Sequence, residues 1–276
     1  MYKIVKKEIL NEQVTLLEVL APKIAKKALP GQFIIFRIKD GGERIPLTIA
    51  DYNREAGTIT IIFQAVGKST IELSQMNAGD EILDFVGPLG VATHLDGYKR
   101  VAVIGGGLGT AIAYPQAKFL HQNGAEVDII AGFRNKDLII LEKELNENST
   151  NVYITTDDGS NGNQGFVTDQ LRSLIDSGIN YDLVIAIGPL IMMKFISKLT
   201  KEYGIKTIVS MNPIMIDGTG MCGGCRVSVG GETKFACVDG PDFDGHLVDF
   251  DMAMRRQQMY KKEEEHSCKL YKGLCP

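Results

Sequence analysis

The chain has 276 residues, of which 44% are hydrophobic and 23% charged, and a formal net charge of −4. That is the balance of an ordinary soluble protein, long enough for two cored domains and a smaller appendage. Nucleic acid is excluded as the main partner, because the charge is negative and no Lys/Arg run or basic–aromatic patch opposes it. No apolar stretch approaches the ~18 residues of a membrane span, and Met1 to Glu8 alternates charged with apolar residues, unlike a secretory leader. Five cysteines, three of them crowded into one segment, do not make a disulfide framework, so a reducing cytoplasm is the expected location.

Residues 1–97 read as short β-rich runs broken by turn signals. Val14–Leu20, Phe33–Ile38 and Gly57–Phe63 are strand-like, and Pro30-Gly31, Asp40-Gly41-Gly42 and Gly79-Asp80 separate them. Antiparallel strands at this spacing predict a small closed barrel. Two segments carry polar chemistry. Arg44-Ile45-Pro46-Leu47-Thr48 presents a guanidinium suited to paired hydrogen bonds with a phosphate, although a plain surface arginine fits the sequence equally well. Gly67-Lys68-Ser69-Thr70 combines a glycine, a cation and two hydroxyls before a helix opening at Ile71, an anion-binding arrangement. It is not a Walker A loop, because Ile62 stands where that loop needs glycine.

From residue 98 the rhythm changes. Arg100–Ile104 is a buried strand that runs through Gly105-Gly106-Gly107-Leu108-Gly109-Thr110 into a helix ending near Gly124. Strand-like runs recur at 126–133, 151–156, 182–187 and 206–210, alternating with helix-like runs such as Asp137–Asn148 and Leu190–Tyr203. This predicts a doubly wound parallel-sheet domain over 98–210. Three strand ends on its carboxyl edge suit a dinucleotide. They are the glycine loop with Gly106, Gly107, Gly109 and Thr110, the turn Thr155-Thr156-Asp157-Asp158, and Gly188-Pro189. The glycine spacing is not a strict G-x-G-x-x-G, and Asp128 lies inside a strand where an acidic ribose ligand would follow it.

Residues 211–250 hold Asp217-Gly218-Thr219-Gly220-Met221-Cys222-Gly223-Gly224-Cys225 and, twelve residues on, Cys237. With cysteine for Asp217 this is the C-x4-C-x2-C…C spacing of a plant-type [2Fe–2S] site. A carboxylate can replace one thiolate, and glycines let backbone N–H groups approach cluster sulfurs. Zinc bound by the same four residues, or a glycine-rich turn without ligand, remains the alternative on spacing alone. A charged amphipathic helix is predicted over 247–265, with the residues from 251 onward forming a C-terminal helix and tail. Cys268 and Cys275 are expected as free thiols in that tail, with ligation of another centre as the alternative. His94, His121, His246 and His266 read as surface or packing residues.

A barrel, a nucleotide-binding α/β domain and a ferredoxin-like motif, in that order, resemble the ferredoxin–NADP reductase superfamily over nearly the whole chain. Pro30-Gly31-Gln32-Phe33 is similar to its P-G-Q-F strand, Arg44–Thr48 to its flavin-binding R-x-Y-[ST] element, and Gly105–Pro115 to its nicotinamide-nucleotide loop. Two departures stand out. The arginine is one place early, and Leu47 holds the aromatic position. Within the superfamily the chain resembles electron-transfer subunits of dihydroorotate dehydrogenase. It is more similar to small subunits of NADH-dependent reduced ferredoxin:NADP oxidoreductases, which share Asp217, Met221–Val227 and Phe235–Pro241.

This resemblance implies FAD, a [2Fe–2S] cluster and NAD(H) as cofactors of an oxidoreductase subunit. The implied FAD contacts are Arg44, Pro46, Leu47, Thr48, Phe63, Gln64, Gly67, Lys68, Ser69 and Thr70, with Thr48 near the flavin N5. The implied nucleotide contacts are Gly106, Gly107, Gly109, Thr110, Asp157, Gly188 and Pro189. Asp217, Cys222, Cys225 and Cys237 are the implied cluster ligands. A larger subunit with a second flavin and [4Fe–4S] clusters is the implied partner. There NADPH oxidation is split, with one electron going to ferredoxin and the other through this chain to NAD. The preference for NAD over NADP rests on the resemblance, because Arg134 is placed to meet a 2′-phosphate. A different large partner, dihydroorotate dehydrogenase among them, and a non-enzymatic zinc-stabilised nucleotide-binding adaptor are the competing readings.

Overall fold

The computed structural model of the protein describes residues 1–271. The N-terminal part is an antiparallel sheet built from β1 (Tyr2–Ile9), β2 (Val14–Leu20), β3 (Phe33–Arg37), β4 (Ile45–Asn53), β5 (Thr58–Gln64), β6 (Glu81–Ile82) and β7 (Asp84–Leu89). A short helix α1 (Pro22–Ala25) and a longer one, α2 (Lys68–Gln75), connect strands. The strand order is β6-β1-β2-β5-β4-β3-β7. Only Leu83 separates β6 from β7, so the two ends of the sheet meet and the barrel nearly closes, leaving few exposed edges. Alternate residues point inward, and Ile34, Phe36, Ile61, Phe63 and Phe85 pack as one core with at most 1% exposure each. Burying each such side chain contributes roughly 1.5–3 kcal/mol.

The second part contains β8 (Arg100–Gly106), α3 (Gly109–Gln122), β9 (Glu126–Phe133), α4 (Glu142–Glu147), β10 (Asn151–Thr156), α5 (Val167–Asp176), β11 (Leu183–Ile187), α6 (Leu190–Glu202) and β12 (Thr207–Ser210). Its five strands are parallel, and the near-continuous apolar runs of β8 and β11 follow from helices covering both faces. The order is β10-β9-β8-β11-β12. The chain therefore leaves β8 in one direction, returns, and continues on its other side at β11. The resulting switch point is a crevice at the carboxyl ends of β8 and β11, where open α/β sheets bind ligands.

The third part is not a separate appendage. A hairpin of β13 (Arg226–Val229) and β14 (Glu232–Phe235) is followed by β15 (Asp242–Asp244), which pairs antiparallel with β12 and extends the parallel sheet. Two helices follow, α7 (Phe250–Gln257) and α8 (Lys261–Leu270).

Three expectations are corrected. The predicted helix Asp137–Asn148 is a 3-10 turn over Lys136–Leu138 and then α4, because Leu141 between them has φ +59°. The predicted helix 247–265 is split into α7 and α8 at Tyr260, φ +66°. A left-handed residue interrupts the helical hydrogen bonds, and neither position carries the glycine that would announce it. Cys268 is buried and disulfide-bonded, not a free thiol in a solvated tail; Cys275 lies outside the described residues. Among the described residues no helix is long and apolar enough to cross a membrane.

Candidate functional site

In the barrel, the polar segments flank β4 and open α2. Thr48 lies opposite Phe33, Leu47 opposite Ile34 and Pro46 opposite Ile35 in the β3–β4 ladder. Gly67 is the N-cap of α2, and Thr70 Oγ1 accepts hydrogen bonds from the N–H groups of Val66 and Gly67. That hydroxyl therefore shapes the turn through its own backbone, an N-terminal box. Ser69 Oγ donates to Glu43, a carboxylate the sequence reading did not single out. The Phe63 ring belongs to the barrel core, and Gln64 Nε2 donates to Gln13 Oε1 at 2.6 Å. Lys68 is the first residue of α2 and is half-buried.

The turn fits a diphosphate in shape, with a glycine N-cap, a lysine and an α2 amino terminus. Glu43 opposes an anion there by like charge. For the FAD diphosphate that the resemblance implies at this turn, Glu43→Gln should bind a few-fold more tightly, in line with the ~0.3–1 kcal/mol of a charge at a helix end. Titrating flavin against the cofactor-depleted chain, with fluorescence as the readout, checks this; weaker binding would mean that Glu43 instead organises the turn for its ligand.

At the crevice, the glycines are required by close approach. A Cβ on Gly109 would lie 2.2 Å from the Ile187 carbonyl oxygen, and one on Gly188 3.1 Å from Gly106 Cα. A Cβ on Gly106 would strike Met192 Sδ at 2.5 Å and Pro189 at 3.0 Å, so the β8 and β11 loops touch. Gly107 has φ +56° and turns the chain into α3. Thr110 Oγ1 and Thr155 Oγ1 are buried and have no hydrogen-bond partner. Asp157 is exposed at the end of β10, two strands from the crevice, and Arg134 is exposed after β9. Gly106, Gly107, Gly109, Thr110, Gly188 and Pro189 are thus brought together, and Asp157 lies further along the same edge.

The cysteine segment is organised by backbone N–H groups. Cys222 is exposed, and the N–H groups of Gly224, Asp217 and Ile216 directed at its sulfur hold its thiol below the usual value. Cys225 and Cys237 are buried with their sulfurs 3.2 Å apart. Burial, with Cys225 alongside, pushes the Cys237 thiol up to about 11, against the Gly220 N–H. Asp217 Oδ2 accepts from Thr219 N at 2.8 Å, Thr219 Oγ1 at 2.7 Å and Met221 N at 3.1 Å. These bonds, the Thr219 hydroxyl first, hold its carboxyl below the usual range; Oδ1 takes part in none of them.

Among the described residues no three His, Cys, Asp or Glu side chains converge as for a single metal ion. The donors instead form one buried sulfur pair beside an exposed thiol and a carboxylate-bearing turn. With backbone N–H groups already facing two of the sulfurs, this donor set fits a cluster of iron and sulfide.

The three sites meet at β3 and β4. Phe33 and Ile35 of β3 pack with Met215, Cys225, Ala236 and Cys237 in one apolar cluster. A Cβ on Gly218, which has φ +84°, would lie 2.7 Å from Ile35 Cδ1 and 2.9 Å from Leu89 Cδ1, so the cysteine loop sits directly on the barrel. On the other flank α3 reaches β4 through Lys118 Nζ–Asp51 Oδ2 at 2.6 Å. Gln116 of α3 also donates to Asp242 Oδ2 at 2.8 Å, tying α3 to β15. Arg44, expected on a phosphate, donates from Nε to the Ile216 carbonyl at 2.7 Å and from Nη2 to that of Asp217 at 3.4 Å. Of the histidines, His94 and His266 are exposed, His246 Nε2 contacts Thr200 Oγ1 at 3.0 Å, and His121 Nδ1 is buried without a hydrogen-bond partner.

Barrel, nucleotide crevice and cysteine loop around shared strands define an oxidoreductase of the ferredoxin-reductase fold. A ferredoxin reductase of a carbazole 1,9a-dioxygenase system shares that fold at a TM-score of 0.60 and 17% identity, over 74% of this chain and 65% of its own. The iron-sulfur cluster binding domain of dihydroorotate dehydrogenase B matches residues 212–249. An uncharacterized Clostridium beijerinckii protein in the adh 3′ region is 57% identical, covering 96% of this chain and 92% of its own. A Thermotoga maritima homologue of the dihydroorotate dehydrogenase B (NAD(+)) electron transfer subunit is 46% identical over 96% of this chain and 93% of its own. A solved chain of the NADH-dependent reduced ferredoxin-NADP oxidoreductase, described for flavin-based electron bifurcation, superposes with a TM-score of 0.93. It is 44% identical, over 98% of both chains. The chain belongs to the family of dihydroorotate dehydrogenase B electron-transfer subunits and their homologues, and within it is a close homologue of the reduced ferredoxin-NADP oxidoreductase subunit.

Proposed function

We propose that this chain is the NAD(H)-linked electron-transfer subunit of a flavin-based bifurcating oxidoreductase, with FAD in the barrel and a [2Fe–2S] cluster in the cysteine loop. When bound, FAD exchanges hydride with nicotinamide and single electrons with the cluster, and so joins two-electron to one-electron chemistry. The observation that carries the reading is the seating of the cysteine loop on β3, the neighbour of the strand bearing Thr48. Adjacent strands are ~4.8 Å apart, so the sulfur pair and the flavin element share a wall with no mobile linker between them.

The residues take the following parts. Thr48 offers a hydroxyl to the flavin edge, while Pro46 and Leu47 line the strand beneath it. Gly67, Lys68 and Ser69 cradle the diphosphate, and Thr70 holds their turn. Phe63 acts from the core as support, and Gln64 continues β5 toward the same rim. At the crevice Gly106, Gly107, Gly109 and Gly188 let nucleotide phosphates approach backbone N–H groups, Pro189 shapes the opposite lip, and Thr110 supplies a buried hydroxyl. Asp157 meets the far end of the nucleotide. Cys225 with Cys237 would hold one iron, and Cys222 with Asp217 would hold the other. No general acid or base is needed for hydride transfer.

An exposed apolar rim next to Cys222, with Met221 88% and Ile216 52% exposed, suits a protein that exchanges single electrons there. A larger subunit with a second flavin and [4Fe–4S] clusters, linked to ferredoxin and NADPH, is the partner we assign, and the cytoplasm its place. The purified chain should contain two irons and one flavin, and should oxidise NADH with an artificial acceptor. It should not link ferredoxin to NADP without the large subunit. An anaerobic visible spectrum tests the first part: a colourless zinc protein would sink the reading. Full coupled activity by the isolated chain would remove the partner.

A further inference from the structure

The Ile216 carbonyl, at the head of the cysteine loop, accepts from Arg44 Nε at 2.7 Å. A second bond, from Arg44 Nη2 to the Asp217 carbonyl at 3.4 Å, fixes the guanidinium across two successive peptides. Arg44 stands 172 residues from Ile216 in sequence and immediately precedes β4, the strand that carries Pro46, Leu47 and Thr48.

A guanidinium hydrogen-bonded to the backbone of the ligand-bearing loop holds a positive charge beside the cluster. Donors and positive charge near a cluster sulfur stabilise the reduced, more negative state, and so raise its reduction potential. The one-place shift of Arg44 against the flavin-binding pattern then has a physical meaning. The side chain has left the position of a phosphate ligand and gained that of a bridge between strand and loop.

We infer that Arg44 is a positioning residue that ties the flavin-bearing strand to the cysteine loop and, by its charge held against the Asp217 backbone, tunes the potential of the cluster that the loop holds. The inference rests on the cluster reading of the loop given above. It makes no use of Arg44 as a flavin ligand. Gly218 seats the loop by contact alone; Arg44 adds the directional, charged half of the attachment.

The test uses the full chain with Arg44→Met, which keeps length and loses donors and charge, and Arg44→Lys, which keeps the charge but loses the fork. Iron, sulfide and flavin are counted, and the cluster is titrated anaerobically by electron paramagnetic resonance. Arg44→Met should keep its iron and flavin while the cluster becomes harder to reduce. About a tenfold lower ratio of reduced to oxidised cluster at fixed ambient potential is expected, which is ~59 mV for one electron. Arg44→Lys should fall between that variant and the parent. If Arg44→Met loses its cofactors, Arg44→Lys decides alone. A negative shift at full iron content supports the inference, and an unmoved potential overturns it. Loss of flavin from either variant with the cluster potential unmoved would return Arg44 to phosphate binding. A parent chain without iron would overturn the cluster reading itself and this inference with it, an outcome distinct from an iron-replete parent whose potential ignores Arg44.

Discussion

Cys225→Ala and Cys237→Ala should each lose essentially all bound iron, while Asp217→Cys should keep two irons with an altered resonance spectrum and potential. The two buried sulfurs are 3.2 Å apart, so removing either leaves its partner unable to hold an iron alone. Asp217→Cys supplies sulfur at the same backbone position and completes the plant-type spacing. Asp217→Ala is less informative than the sequence suggests, because Oδ2 also organises Thr219 and Met221. Alanine would remove an anionic donor and three hydrogen bonds together. Asp217→Asn separates them: the amide oxygen still accepts from those groups, but the charge is gone. Iron that is labile in Asp217→Asn and stable in Asp217→Cys identifies a ligand. Full iron and an unchanged spectrum in Asp217→Asn would make the aspartate a turn residue. Cys268→Ala should leave the iron untouched, because Cys268 is already disulfide-bonded.

The strands were legible because their signal is local. Val14–Leu20, 126–133 and 151–156 begin and end where the apolar runs do, and the barrel and the doubly wound sheet follow from their spacing and from the helices between them. The breaks at Leu141 and Tyr260 were not legible. Both are residues that ordinarily avoid positive φ, so no local signal marks either break. The joining of β15 to β12 was hidden for a related reason: a three-residue strand has too little periodicity to be read, and its pairing is decided by the loop that delivers it.

The candidate sites divide along the same line. Glycine loops and cysteine spacing are local patterns, and the crevice glycines and the sulfur pair stand together in the structure. What each polar group is bonded to is not a local property. Thr70 has the composition of a phosphate ligand but accepts from its own turn, Ser69 donates to Glu43, and Arg44 reaches a loop 172 residues away. The early position of Arg44 was the one trace of this in the sequence, and it gave no direction. Glu43, one residue before it, left no trace at all, since an isolated acid between turn and strand reads as solvated surface.

Gly109→Ala should abolish useful NADH binding while flavin and iron remain in place. Alanine favours a helix more than glycine does, so local propensity predicts a harmless or stabilising change. Packing predicts the opposite, because the added Cβ would lie 2.2 Å from the Ile187 carbonyl oxygen and 2.8 Å from Gly188 Cα, backbone atoms that cannot swing away. The conflict is settled by separating the β8 and β11 loops, the two lips of the crevice. Overpacking of this kind costs about 1–3 kcal/mol, and expressed in binding it is a loss of roughly 5–150-fold. Gly107→Ala provides the contrast: nothing lies within 4 Å of its Cβ, and its cost is the backbone strain of φ +56° alone, roughly 1–2 kcal/mol. NADH affinity measured by flavin reduction, beside flavin and iron counts for both variants, checks the site. Wild-type affinity in Gly109→Ala would move the nucleotide out of this crevice. Parallel loss of flavin and iron would show that the two loops brace the whole molecule, not the nucleotide site alone.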